Sequence, residues 1–251
     1  LFQDEDGAAY VFYSSEGNRV MHIARLDETY TGLAAAKGPA EASVRALVDL
    51  GREAPAVFRC GEWVYLLTSG CTGWAPNAAE AFAARSPLGP WVSLGSPAAG
   101  GSAAGRARTF HSQPAAVVPV PPRAGAGAPG GSGAGARPFP PLWPPPRPDG
   151  SCAFVYAGDQ WNVDDLGASR YVWLPLWVVP LAESAGGAAA LPPPRKAAPG
   201  AAAQARKRKK GKGAAAAAGG GAPAAALDHP GTAVILQWAP AWSLADLEDR
   251  P

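Results

Sequence analysis

The sequence predicts an all-β protein, and two observations lead to this prediction. About nine or ten short segments are rich in aromatic and β-branched residues, with Gly, Pro, Asn or Asp turn residues between them. No amphipathic helical pattern continues for more than about two turns. Together these patterns are typical of a sandwich, a barrel or a propeller.

The first predicted strands lie before residue 50. Residues 8–14 (AAYVFYS) follow the acidic turn DEDG and combine aromatic with β-branched side chains, which favours a strand. Residues 19–26 alternate apolar and polar side chains less regularly, and residues 44–49 form a short apolar segment. Residues 34–43 are weakly patterned and are interpreted as a small insert.

A β-hairpin forms the centre of the predicted fold. Its two apolar strands, residues 52–58 (REAPAVF) and 63–68 (WVYLLT), are joined by a Cys-Gly-Glu turn at 60–62. A loop rich in Gly, Thr, Trp and Asn follows the second strand. Residues 78–85 then predict a strand despite their alanines, and the apolar segment 91–94 comes next.

Four strands are predicted in the second half of the chain. Residues 115–120 follow the segment TFHSQ, and residues 152–157 (CAFVYA) begin a second apolar region. Residues 169–179 (SRYVWLPLWVV) form the most strongly apolar segment, and residues 232–238 (TAVILQW) predict the last strand.

Two segments have compositions that do not predict a packed core. Residues 121–150 and 182–230 are rich in Pro, Gly and Ala without periodicity, so both are predicted to be disordered low-complexity inserts. The second insert contains the basic run 206–212 (RKRKKGK), which is interpreted as a solvated segment. The alternative is a nuclear-localisation signal or a nucleic-acid-binding patch. The run has no interleaved aromatic residues, which disfavours that alternative.

Charge and cysteine content exclude several classes of protein. Outside the basic run the chain is mildly acidic, which does not predict a nucleic-acid-binding face. No apolar segment is long enough to span a bilayer, and the chain shows no signal peptide. The three cysteines lack zinc spacing; one unassigned disulfide is possible, but buried free thiols are the favoured interpretation.

The chain resembles glycoside hydrolase family 43, and within it the exo-β-1,3-galactanase and galactosidase branch, including plant and algal members. The order and spacing of the matching motifs are specific, above all TSGCTGWAPN and SRYVWLPL. The matching segments are LFQDEDGAAYVFYSSEGN (1–18), HIARLDETYTGL (22–33), REAPAVF (52–58), TSGCTGWAPN (68–77), GPWVSLG (89–95), FHSQ (110–113), VVPV (117–120), GDQWNVDDLGASRYVWLPL (158–176) and ILQW (235–238).

The resemblance implies a five-bladed β-propeller that forms a single domain over residues 1–251. By the family's motif, an acid that orients and tunes the general acid precedes the segment LFQDEDG. We therefore expect that this chain is a fragment, or comes from a gene model lacking its N-terminus, and that it lacks the first blade. Its low-complexity inserts, about residues 121–150 and 182–230, would lie between strands.

The resemblance also implies an inverting mechanism in which Glu53, in the motif REAP, is the general acid. Inverting glycosidases use an acid that protonates the leaving oxygen, and a base that activates water on the opposite face of the sugar. An acid active at neutral pH needs apolar surroundings, which the following Ala-Pro-Ala-Val-Phe segment predicts. The alternative is a solvated strand-end acid that pairs with Arg52.

Gln113, in the motif FHSQ, matches a Gln that is proposed to handle the attacking water in this branch of the family, where the usual base carboxylate is absent. An amide is a poor base, so the proposal needs an unusual tautomer or a chain of waters. The alternative is a structural Gln that bonds a neighbouring strand. The following Pro114 differs from the small hydroxyl residue of the relatives.

The remaining predicted site residues bind substrate. The loop after the central hairpin would hold the terminal sugar, with an aromatic side chain as its wall, and Asn77 would maintain the loop's shape. The alternatives are core, turn or surface roles for each, and His22 and His111 are assigned such roles. The predicted substrate-binding residues are Glu16, Asn18, Thr72, Gly73, Trp74, Asp159, Trp161 and Arg170.

The resemblance predicts an exo-acting glycosidase for the β-1,3-galactan of arabinogalactan-type glycans. The alternatives are an inactive carbohydrate-binding protein, an arabinofuranosidase or xylosidase, and a structural or nucleic-acid-associated protein that uses the basic run. No cofactor or metal site is predicted, with a structural calcium ion left open. An oligosaccharide or polysaccharide would be the partner of a monomer in the secretory pathway, in the Golgi or the cell wall.

Overall fold

Antiparallel β-sheets make up nearly all of the structure, a computed structural model that describes residues 1–34, 43–121, 142–181 and 231–239. The only helical segments in these ranges are one short α-helical turn, Ala103–Arg106, and two 3₁₀ turns, Thr109–His111 and Leu166–Ala168. The strands are β1 Phe2–Gln3, β2 Ala9–Ser15, β3 Val20–Arg25, β4 Ser43–Ala46, β5 Arg52–Cys60, β6 Trp63–Gly70, β7 Glu80–Ala84, β8 Val92–Gly95, β9 Ala98–Ala99, β10 Gln113–Val120, β11 Cys152–Gln160, β12 Arg170–Pro180 and β13 Thr232–Gln237.

The first two sheets are simple meanders. Strands β1 to β4 pair in chain order, and strands β5 to β8 do the same. The predicted central hairpin is confirmed, because β5 and β6 pair antiparallel and Gly61 adopts a φ of +57° in the turn between them. Every residue of β6 except Gly70 is buried, and residues 63–67 are accordingly apolar on both faces of the strand.

The third sheet contains five strands in the order β10-β11-β12-β13-β9. Its first four strands are antiparallel neighbours, and β9 adds to the edge of β13 in parallel. Sequence patterning missed the two-residue strand β9, because two alanines carry neither β-branched nor aromatic side chains. The predicted strands 115–120, 152–157, 169–179 and 232–238 all lie in this sheet.

One apolar core joins the three sheets. Its fully buried side chains include Ile23 from the first sheet, Phe58 and Tyr65 from the second, and Phe154 from the third. The ring of Phe58 packs against Phe154 with a centroid distance of 4.8 Å. The sheets therefore face one another through interdigitated side chains and hold the ends of their strands at fixed separations.

A disulfide bond links the second and third sheets, so the interpretation of the cysteines as buried free thiols is wrong: two of the three are bonded to each other, and the third is free but exposed. Cys60 at the end of β5 is bonded to Cys152 at the start of β11, with a Cα–Cα distance of 6.0 Å. The two positions are 92 residues apart, and only the packing of the sheets brings them together. Cys71 is a free, exposed thiol.

The last residues of the first predicted insert contribute to the packed structure. Residues 142–150 are part of the described structure, and the Trp143 ring is buried against Phe2 with a centroid distance of 5.5 Å. Its indole Nε1 donates a hydrogen bond to the carbonyl of Gln3, at 2.8 Å. One tryptophan therefore anchors the end of this proline-rich segment. Most of both predicted inserts, including the basic run 206–212, lies outside the described residues.

The all-β prediction is confirmed for the described residues, whereas the number of blades and the closure of the propeller remain predictions. In the described part of the chain, no helix has the length and apolar character needed to cross a membrane.

Candidate active site

A break in the regular geometry of β5 positions Glu53. The register between β5 and β6 shifts between Glu53 and Ala56, which marks a β-bulge. Ala54 adopts a φ of +51°, a left-handed conformation that is uncommon for residues other than glycine. Bulges of this kind bend a strand and change the direction of a side chain, and they are frequent beside active sites.

The Glu53 carboxylate is held between two amide side chains from different sheets. Its Oε1 accepts a hydrogen bond from Gln113 Nε2 at 3.2 Å, and its Oε2 lies 3.5 Å from Asn18 Nδ2. Asn18 belongs to the turn between β2 and β3, whereas Gln113 is the first residue of β10. The ends of strands from all three sheets therefore meet at Glu53.

The half-buried Arg52 bonds Thr68 and pairs with Glu80, so its close partners differ from the Arg52–Glu53 surface pair of the alternative interpretation. Its guanidinium donates to Thr68 Oγ1 at 2.8 Å and to the Thr68 carbonyl at 2.7 Å. It also lies 3.6 Å from the Glu80 carboxylate. Burial lowers the pKa of Arg52, and the charge of Glu80 partly opposes this effect. Arg52 thus ties β5 to β6 and β7 beneath the site.

Hydrogen bonds fix both ends of the Gln113 amide. Its Nε2 donates to Glu53 and also to Ser69 Oγ, at 3.0 Å. Its Oε1 accepts from the indole Nε1 of Trp161, at 3.0 Å. Because every donor meets an acceptor, the orientation of the amide is determined by its neighbours.

A cleft with a volume of about 190 Å³ opens beside Gln113. The Trp74 and Trp161 rings meet edge to face in its wall, with a centroid distance of 5.6 Å. Both rings remain substantially exposed, by 57% and 44%. The lining residues are Ser69, Gly73, Trp74, Ala75, Pro76, Asn77, His111, Ser112, Gln113, Asp159 and Trp161.

Asn77 maintains the loop formed by residues 70–77, as the sequence predicts. Its side chain accepts from the Gly70 amide at 2.7 Å and donates to the Gly70 carbonyl at 2.8 Å. It also donates to Thr72 Oγ1 at 2.7 Å, and that hydroxyl donates to the Ala75 carbonyl. The Thr72 hydroxyl is therefore engaged inside the loop, while Gly73 and Trp74 line the cleft.

Asp159 brings a second carboxylate to the cleft. It pairs with Gln113 across the β10–β11 ladder, which places both residues at the same end of the third sheet. Burial raises the pKa of Asp159 above its ordinary value. A carboxyl group that is partly shielded from water is suited to bonding a polar ligand.

Four predicted substrate-binding residues do not line the cleft. Asn18 lies beside Glu53 instead, and the Thr72 hydroxyl is engaged inside the loop. The other two are Glu16 and Arg170. Glu16 forms a bidentate ion pair with Arg45, and this pair lowers the pKa of Glu16. Arg170 lies at the exposed start of β12, opposite Gln160 in the ladder. Sequence spacing placed both residues near matching motifs, but the contacts of their side chains depend on residues distant in the chain.

Three residues near the site were not assigned to it from the sequence. Ser69 bonds Gln113, and His111 lines the cleft instead of having only the predicted core or turn role. Cys71 lies beside Glu53. The pKa of its thiol is raised, mainly by partial burial and secondly by the Glu53 carboxylate. Their proximity to Glu53 and Gln113 in the chain and the ladder is the signal that could have identified them.

Among the described residues, no group of three or more His, Cys, Asp or Glu side chains is arranged to hold a metal ion. The groups that can act on a ligand here are carboxylates, amides, hydroxyls and aromatic faces. Such a set is suited to bonding hydroxyl-rich molecules and to moving a proton at one carboxyl.

Solved structures similar to this chain are enzymes that act on β-1,3-linked galactose. The glycoside hydrolase family 43 β-1,3-galactosidase BT0265 is 31% identical with a TM-score of 0.53, over 70% of this chain and 29% of that one. The family 43 β-1,3-galactosidase BT3683, solved with galactodeoxynojirimycin, is 31% identical with a TM-score of 0.52, over 70% and 40%. The exo-β-1,3-galactanase 1,3Gal43A from Clostridium thermocellum is 26% identical with a TM-score of 0.50, over 70% and 30%.

These neighbours support the predicted relationship to the galactanase-like glycoside hydrolases of family 43. They give no support to a plant or algal branch. The chain spans less than half the length of each of the three enzymes. No protein-family model and no curated protein matches the sequence.

Proposed function

We propose that this chain forms part of a glycosidase that removes galactose from the non-reducing end of β-1,3-galactan. The observation that carries this proposal is the contact between Glu53 and Gln113 at the edge of an aromatic cleft. The similarity to three enzymes that act on β-1,3-linked galactose supports the same substrate class.

In the proposed mechanism Glu53 is the general acid. It donates its proton to the glycosidic oxygen as the bond to the leaving sugar breaks, while water attacks the anomeric carbon from the opposite face. The product would then have inverted anomeric configuration. Gln113 orients the attacking water through its amide, which Ser69 and Trp161 hold in place.

Substrate must separate the two catalytic candidates before reaction. Gln113 Nε2 and Glu53 Oε1 are 3.2 Å apart, so neither a water molecule nor a sugar oxygen fits between them. A galactosyl unit entering the site would replace this hydrogen bond with bonds to its own oxygens. Because Ser69 and Trp161 hold Gln113, Glu53 is the side chain that would move, and its 3.5 Å contact with the Asn18 amide would change with it.

The cleft is matched to one terminal sugar. A volume of about 190 Å³ is smaller than the range of about 300–1,000 Å³ that is typical of sites for larger ligands. The exposed faces of Trp74 and Trp161 would pack against the apolar face of the ring, and Asp159 would bond its hydroxyls. Such a site favours release of single galactose units.

The wider context of the proposal is a five-bladed propeller that acts on arabinogalactan-type glycans in the secretory pathway. The meander sheets support the propeller, because each has the strand order of a propeller blade. The disulfide between Cys60 and Cys152 supports the compartment, because such bonds persist in oxidising environments.

The experiment is an assay of galactose release from β-1,3-galactobiose by the wild-type chain and by Glu53→Gln. We expect release by the wild type, α-galactose as the first product in an NMR time course, and a loss of at least about 100-fold in the variant. Equal release by both proteins would remove Glu53 from the mechanism. Binding of galactobiose without release would identify a carbohydrate-binding protein instead.

A further inference from the structure

We propose that Thr109 is a positioning residue that sets the distance between the sugar-binding loop 70–77 and Gln113. This inference rests on the proposed function, because its importance lies in the geometry of that site. The loop belongs to the second sheet and Gln113 to the third, so their separation depends on a connection between sheets. Thr109 connects them, because its side chain bonds the end of the loop and its carbonyl bonds the residue before Gln113.

The Thr109 side chain bonds the chain segment that ends the loop. Its Oγ1 donates to the Asn77 carbonyl at 2.8 Å and accepts from the Ala79 amide at 2.6 Å. The residue is fully buried, at 0% exposure, so water cannot replace either bond. Asn77 in turn holds Gly70 and Thr72 through its side-chain amide.

The Thr109 backbone bonds the residue that precedes Gln113. Its carbonyl accepts a hydrogen bond from Ser112 Oγ at 2.6 Å and another from the Ser112 amide at 3.1 Å. The buried Ser112 hydroxyl also lies 2.9 Å from the hydroxyl of Tyr156, on β11. Burial raises the pKa of Tyr156, so its hydroxyl keeps its proton. Because the Ser112 hydroxyl donates to the Thr109 carbonyl, the Tyr156 hydroxyl donates to Ser112 Oγ.

The backbone between these contacts adopts an uncommon conformation. Thr109, Phe110 and His111 have φ values of 48°, 56° and 61°, three successive left-handed residues without a glycine. For a β-branched residue such as Thr109 this conformation is a genuine outlier. It persists only where surrounding contacts outweigh its cost, and such segments are concentrated at functional sites. The hydrogen bonds of Thr109 and Ser112 are contacts of this kind.

Thr109 therefore adds a buried connection to the direct bonds of Gln113 with Glu53 and Ser69, and it is the one that reaches the end of the sugar-binding loop. Trp74 lies on the loop that Thr109 bonds, and Trp161 bonds the Gln113 that follows Thr109. A small shift between the two sheets would therefore open the Trp74–Trp161 contact and turn the amide of Gln113. Misplacement of reacting groups by about 1 Å can reduce a rate by about 100-fold.

The test compares Thr109→Val, which preserves shape but removes the hydroxyl, with Thr109→Ser, which keeps the hydroxyl. We expect Thr109→Val to lower kcat for β-1,3-galactobiose about 10- to 100-fold, with a KM change of less than about 3-fold. Thr109→Ser should remain within about 3-fold of wild type in kcat. Hydrogen exchange should show faster exchange of the Ala79 and Gly70 amides in Thr109→Val alone.

Each outcome separates this inference from the proposed function. Wild-type kcat and unchanged exchange in Thr109→Val would overturn the positioning role. Faster exchange in Thr109→Val, combined with no galactose release by the wild type, would retain the positioning role and reject the proposed function. If Thr109→Val melts below the assay temperature, Ser112→Ala is used, because it removes the side-chain bond to the Thr109 carbonyl on the Gln113 side. A kcat equal to wild type in that variant would also overturn the inference.

Discussion

At the scale of single residues, local departures from regular strand geometry place the two catalytic candidates. Ala54 has a positive φ immediately after Glu53, and residues 109–111 have positive φ immediately before the segment of Gln113. These left-handed conformations cost free energy that regular strand geometry would not require. Both unfavourable segments lie where a carboxyl and an amide from separate sheets come within hydrogen-bonding distance.

Asp159 gives a prediction about pH and stability. Burial raises its pKa in the folded protein above the ordinary value of 3.8, so the folded state holds this proton more tightly than the unfolded state does. Its contribution to stability is therefore fully present below pH 3.8 and is lost as the pH rises through the folded pKa. We expect Asp159→Asn to raise the melting temperature slightly at pH 7, with no gain near pH 3.

The check is a pair of thermal melts for wild type and Asp159→Asn across this pH range. The effect is small because the side chain is only partly shielded from water. A lower melting temperature of the variant at pH 7 would show that the ionised carboxylate stabilises the fold.

Arg52 gives a second prediction at this scale. Its buried guanidinium donates two hydrogen bonds to Thr68 and lies beside the partly exposed Glu80 carboxylate, so Arg52→Met would remove both bonds and the cation of that carboxylate. We expect a loss on the order of 3 kcal/mol in the free energy of unfolding, measured by urea denaturation. The matched control is Arg19→Met, which breaks the exposed pair with Asp49 and should change stability by less than about 0.5 kcal/mol. Equal losses would contradict the role of burial.

At the scale of elements, the Cys60–Cys152 disulfide joins the end of β5 to the start of β11. A bond that closes a loop of this length restricts the unfolded chain strongly, so its removal should cost about 2–5 kcal/mol. We expect the double variant Cys60→Ala and Cys152→Ala to melt at a lower temperature and to lose sensitivity to reducing agent. Cys71→Ser is the control and should retain that sensitivity, because Cys71 is not bonded. A wild-type melting temperature in the double variant would reject a stabilising disulfide.

The strands could be predicted from sequence because their signals are local. The aromatic and β-branched residues of β2, β6 and β12 define strands whatever their partners are. The bulge after Glu53 could not be predicted in the same way, because Ala54 has no intrinsic preference for a positive φ. The disulfide was also missed, since its geometry depends on which sheets pack together.

The same distinction applies to the candidate site. Gln113, Trp74 and Trp161 lie around one cleft. They could be predicted because the resemblance assigned them to loops and strand ends that meet at the site. Glu16 was grouped with them by its position in a turn, but its carboxylate is directed to Arg45. Side-chain partners on other strands decide between these outcomes, and a single sequence does not encode them locally.

At the scale of the whole molecule, three packed sheets bring the carboxyl groups of Glu53 and Asp159, the Gln113 amide and two indole rings to the same group of strand ends. The core fixes the sheets, and contacts at the strand ends, including the bonds of Thr109, adjust the spacing of the site. The chain covers 29–40% of the length of the two family 43 galactosidases that it resembles. The activity of the chain is therefore the property that most needs measurement.

The most direct test compares two substrates with different leaving groups. We expect Glu53→Gln to lose at least about 100-fold in kcat/KM on β-1,3-galactobiose, because the leaving sugar needs a proton. On 2,4-dinitrophenyl β-galactoside the same variant should retain activity within about 10-fold, because that leaving group departs without protonation. Equal losses on both substrates, or no loss on galactobiose, would contradict the role of Glu53 as the general acid.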